Sequence, residues 1–111
     1  MPDRSERYAA LAQRLVDSVL AGPGHTSSEL RRAVAARAAN PGRPGVPALL
    51  ADYVDKVALH AYTVTEADLA ALQRGGSSQD AVFELTVSAA LGAALMRLER
   101  GLAALRGEEP D

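Results

Sequence analysis

Cysteine and tryptophan are both absent from this chain of 111 residues. Without a thiol there can be no disulfide, thiolate metal site, iron–sulfur cluster or sulfur nucleophile. Aromatic residues make up only 4% of the chain, so it lacks the surplus of aromatic and β-branched side chains on which sheets are built. Lysine occurs once, and the net charge of −2 leaves no electrostatic footprint for a nucleic-acid backbone. No uninterrupted run of 18 apolar residues occurs, and the opening MPDRSERY lacks the basic-then-apolar order of a secretory signal. The expectation is a cytoplasmic protein that engages neither nucleic acid nor membrane.

What is abundant is alanine (23 residues) and leucine (15 residues), both strong helix formers. The length suits one compact domain, and the composition predicts an all-α fold of about five helices. Asp3 or Ser5 can cap a first helix over 5–21, with Tyr8, Leu11, Leu15 and Val19 on one stripe. Gly22-Pro23-Gly24 stops it. Thr26 and Glu29 have the spacing of a capping box for a second helix over 27–39, whose weak stripe is Leu30, Val34 and Ala38. The run NPGRPGVP from Asn40 to Pro47 is a loop, because proline cannot donate within a helix and restricts the residue before it.

A third helix, 47–61, starts with Pro47 in its first turn and turns Leu50, Val54, Val57 and Ala61 inward. Thr63 or Thr65 opens a fourth over 66–74, with Leu69 and Leu72 inward and Gly75-Gly76 as its stop. Ser77 and Asp80 repeat the capping spacing ahead of a long C-terminal helix over 79–105. There Phe83, Val87, Leu91, Ala94, Leu98, Leu102 and Leu105 recur about every 3.7 residues, the strongest periodicity in the chain. A second row, Val82, Leu85, Ala89, Ala93 and Met96, makes more than half of the helix circumference apolar or small over 81–96. So small a domain has few helices with which to surround such a rod, which predicts a homo-oligomer. Ser88, Ala89, Gly92 and Ala93 would admit either a second subunit or a helix of the same chain.

Charge divides along the chain. Residues 1–50 hold seven Arg against four acids, and residues 51–111 hold five basic residues against ten acids. Arg31, Arg32, Arg37 and Arg43 read as a solvated helix face, because neither a phosphate loop nor interleaved aromatics accompanies them. Arg97, Glu99, Arg100 and Arg106 read as the outward side of the last helix. Chemistry concentrates on the third helix, where Tyr53, Lys56 and His60 stand at i, i+3 and i+7 and can reach one small cavity. His60 could act as a base while Tyr53 or Lys56 polarises a substrate oxygen. The same residues have a structural reading: a His bonded to a carbonyl, a Tyr ring in the core, and Lys56 paired with Asp52. Glu84 either borders a pocket above Ser88 and Gly92 or complements the N-terminal end of the helix dipole. His25 reads as a turn residue, and two histidines without cysteine predict no transition-metal site and no cofactor.

The stretch YVDKVALHAYTVTEADLAALQRGGSSQDAVFELTVSAALGAALMRLERGLAAL, Tyr53 to Leu105, resembles the alkylhydroperoxidase D-like, or carboxymuconolactone decarboxylase-like, superfamily. The resemblance rests on LQRGGSSQDAVFEL followed by the small-residue helix TVSAALGAALMRLERGL, and covers about half of the chain. It implies an AhpD-like helical domain that assembles into trimers, hexamers or related rings. The redox branch of that superfamily carries Cys-x-x-Cys-x-x-x-His, which here reads Tyr53-x-x-Lys56-x-x-x-His60. Both thiols are missing, and Pro41 stands roughly where an upstream Glu belongs, so thiol peroxidase chemistry is excluded. The lactone decarboxylase branch implies His-based proton transfer on a small carboxylic acid or lactone; with the residues singled out above, the expected site has His60 and Glu84 as catalytic groups and Tyr53 and Lys56 binding the substrate. The alternative is a non-catalytic protein that assembles through its apolar C-terminal helix.

Overall fold

A computed structural model of the chain describes residues 4–107 and is all-helical over them. The helices are α1 (Arg4–Leu20), α2 (Ser28–Ala39), α3 (Ala48–His60), α4 (Glu66–Arg74) and α5 (Gln79–Leu105), with a 3-10 turn at Ala61–Thr63 after α3. The five expected helices are all present, and the last is the longest at 27 residues.

Local chemistry sets the helix starts, and in two cases the capping residue stands one position later than the sequence suggests. Ser27, not Thr26, caps α2 by accepting from the Leu30 amide at 3.0 Å. Ser78, not Ser77, caps α5 by accepting from Ala81 at 3.1 Å. Thr65 and Asp68 form a reciprocal capping box at α4. Gly76, at φ +106°, takes the left-handed conformation that lets the chain leave α4. Asp3 lies outside the described residues, and Ser5 is already inside α1 rather than ahead of it.

The core is α2 laid along the inner face of α5, with α3 and α4 closing it. Val34 and Ala38 of α2, Leu50, Val54 and Ala58 of α3, Leu72 of α4, and Val82, Leu85, Ala89 and Ala93 of α5 are all buried. Gly92 fixes the closest approach: a Cβ there would stand 2.1 Å from the Ala35 carbonyl oxygen. The small residues of α5 therefore admit α2 of the same chain. On α3 the inward residues are Ala51, Tyr53 and Ala58 alongside Leu50 and Val54, whereas Val57 is half-buried and Ala61 is exposed.

Helix α1 stands apart. Leu20 is its buried residue, while Tyr8, Leu11 and Leu15 of the expected inward stripe are exposed. A radius of gyration of 15.2 Å exceeds the about 13 Å of a compact chain of this length, in keeping with an arm that docks mainly by its C-terminal end. By length and hydropathy alone α5 could cross a membrane, but its inner face is the center of the helical core.

Candidate functional site

Two polar side chains, Arg31 and Glu84, hold the α1–α2 junction, where both line one pocket. Arg31 is only 5% exposed, and donates to the carbonyl oxygens of Val19 at 2.7 Å, Gly22 at 2.6 Å and Thr26 at 3.3 Å. The guanidinium thus satisfies a free carbonyl in the last turn of α1, where the dipole favours a cation, and two carbonyls of the loop that follows. Arg31 is not part of a solvated face. It lies three residues before Val34 and seven before Ala38, in the buried row of α2.

Glu84 reaches the same junction from α5. Its carboxylate accepts from the amides of His25 at 2.6 Å and Thr26 at 3.0 Å, and from the Thr26 hydroxyl at 2.8 Å. Gly24 permits this approach, since a Cβ there would sit 2.7 Å from a Glu84 oxygen. The His25 amide and the Thr26 hydroxyl hold the Glu84 pKa below the usual carboxylate range. Both oxygens are engaged by the loop, so the carboxylate acts as a latch. His25 is exposed, with its ring 3.6 Å from Asp80.

The trio on α3 is brought together only in part. Tyr53 and Lys56 line one cleft of about 300 Å³ with Asp52, Asp68 and Leu72, and His60 is not among its lining residues. His60 is exposed at the end of α3, its ring edge-on to exposed Tyr62 at 6.0 Å between centroids. Lys56 pairs at 2.8 Å with Asp68 of α4, not with Asp52 one turn away, and this bond holds the Asp68 pKa low. Arg37, also expected in solvent, grips both oxygens of Asp55 at 2.8 and 2.7 Å and bonds the Arg43 carbonyl, tying α2 to α3. The Asp55 hydrogen bond raises the Arg37 pKa further. Arg97, rather than facing outward without a role, donates to the Ala58 carbonyl near the end of α3.

Tyr53 carries the most defined polar feature of a cleft. It is 6% exposed, and its hydroxyl lies 2.7 Å from the Thr86 hydroxyl of α5. Both residues line an opening of about 310 Å³ whose apolar walls are Val64, Leu69, Val82 and Phe83. Gln73 and Gln79 stand at its rim, and none of its lining residues is charged. Sequence reasoning missed Thr86, which lies 33 residues from its partner. Among the described residues no group of three or more His, Asp or Glu could hold a metal ion.

The largest unsatisfied feature is apolar. Phe83, Leu98 and Leu105 on the outer side of α5 are 69%, 53% and 86% exposed, and Leu102 is also open. They belong to the strongest hydrophobic row of the sequence, which lies nearly opposite the buried row at 100° per residue. The chain matches no protein-family model, no curated protein and no solved structure.

Proposed function

We propose that this chain is a non-catalytic assembly protein that associates with further copies of itself through the outer face of α5 and the apolar row of α1. The observation that carries this is the exposed apolar surface: Tyr8, Leu11 and Leu15 on α1 and Phe83, Leu98 and Leu105 on α5 are each half or more exposed, and large apolar side chains clustered on one face mark an interaction surface. The resemblance to the alkylhydroperoxidase D-like superfamily, whose members form trimers and hexamers through such helices, supports the same reading. Catalysis by His60 on a small carboxylic acid or lactone has less support, because His60 and Glu84 flank neither cleft that Tyr53 lines.

Sedimentation at tens of micromolar tests the proposal. The expected mass is a multiple of 11.6 kDa, and a variant carrying Leu98→Glu and Leu102→Glu is expected to sediment at 11.6 kDa with unchanged helicity. A wild-type chain that is monomeric under these conditions overturns it.

A further inference from the structure

We infer that the cleft between α3, α4 and α5 binds an uncharged, largely apolar ring molecule that carries a hydrogen-bond donor, of the phenol or indole class. The argument starts from two protons. Thr86 donates its single hydroxyl proton to the Val82 carbonyl one turn back, at 2.7 Å. In the 2.7 Å contact with Tyr53 the Thr86 oxygen must then accept, so the Tyr53 hydroxyl is the donor. Both protons are committed inside the protein. What the pair can offer a ligand is lone pairs alone, from the hydroxyl of a tyrosine that is buried as a residue.

This polarity selects the ligand. A carboxylate or a lactone brings only acceptors, which would face acceptors, and no cation lines the opening. An N–H or O–H group meets the pair correctly. The walls of Val64, Leu69, Val82 and Phe83 suit an apolar body, and about 310 Å³ accommodates a fused bicyclic ring. At the rim, the carboxamides of Gln73 and Gln79 can turn to either polarity.

Indole and benzofuran, which have the same shape but opposite polarity at the heteroatom, separate this from simple hydrophobic filling. Titrated into the full-length chain and followed by the methyl resonances of Val64 and Val82, indole is expected to saturate and to bind about tenfold more tightly than benzofuran. Thr86→Val keeps the shape but frees the Tyr53 proton, so the preference should fall to about one. The proposal is overturned if benzofuran binds wild type as tightly as indole, if indole does not saturate, or if the shifts appear elsewhere. An unchanged preference in a folded Thr86→Val protein also overturns it. The comparison in wild type stands even if that variant does not fold, and it is independent of the oligomer mass.

Discussion

The two sides of α5 are both apolar, yet they have opposite fates. The inner side is built from Ser88, Ala89, Gly92 and Ala93, and α2 lies on it so closely that no Cβ fits at Gly92. The outer side carries the bulk, with Phe83, Leu98, Leu102 and Leu105, and among the described residues these stay between 41% and 86% exposed. Burial here follows shape rather than hydrophobicity. Small residues allow backbones to approach and many weak contacts to form, whereas large side chains on a convex rod need a second surface to enclose them. The contrast between α1 and α2 repeats the point: α1 has the cleaner stripe and stays exposed, while the alanine-rich α2 is at the center of the core.

Gly92→Ala breaks the inner side and carries the largest expected effect. Its Cβ would meet backbone, the Ala35 oxygen, carbonyl carbon and Cα, so no side chain can swing away. A loss of about 3 kcal/mol or more, a fall in Tm of ~15 °C, is expected from thermal melts of the variant. A Tm within a few degrees of wild type would mean that α2 does not lie on Gly92.

A smaller effect is expected where the inner side meets the α1–α2 loop, at Glu84. Its pKa is lowered in the folded chain by the His25 amide and the Thr26 hydroxyl. A depressed carboxylate contributes stability that is complete above its unfolded pKa of about 4.3 and is lost as the pH falls through the lower folded value. Wild type should therefore exceed Glu84→Gln in Tm at pH 7, and the gap should close as the pH drops below about 4. Amide exchange at His25 and Thr26 should accelerate over the same range. A gap that is independent of pH would show that the latch does not depend on charge.

Much of this architecture was legible in the sequence, because helix boundaries follow local chemistry. Proline and glycine at 40–47 and Gly75-Gly76 marked the breaks correctly, the start of α4 was left between Thr63 and Thr65, and hydroxyls in adjacent pairs blurred two caps by one residue. Which apolar row would be buried was not legible, since periodicity identifies a face but not its occupant. The arginines show a signal that was overlooked: Arg31 shares the row of Val34 and Ala38, whereas Arg32 does not. Of the candidate site, the spacing of Tyr53, Lys56 and His60 predicted one shared cavity, and only Tyr53 and Lys56 line the same cleft. The partners Thr86 and Asp68 belong to other helices, so only tertiary packing could reveal them.

Gly101→Ala tests the outer side with the same chemical change and the smallest expected effect. Gly101 is exposed within α5, and a Cβ there meets nothing within 4 Å. Replacing glycine in a helix interior lowers the entropy of the unfolded chain, so a gain of about 0.5–1 kcal/mol, or ~4 °C in Tm, is expected. The measurement is best made in the Leu98→Glu, Leu102→Glu background, where the proposed contacts between copies would be removed. A loss of stability there would contradict the open surface at this position. In the wild-type background the same methyl becomes a ruler for the proposed assembly: a gain equal to that of the double variant would leave Gly101 clear of a neighbouring copy, and a lost gain would set that copy's backbone against it. One substitution, destabilising at residue 92 and stabilising at residue 101, thus separates the face that α5 has filled from the face it offers.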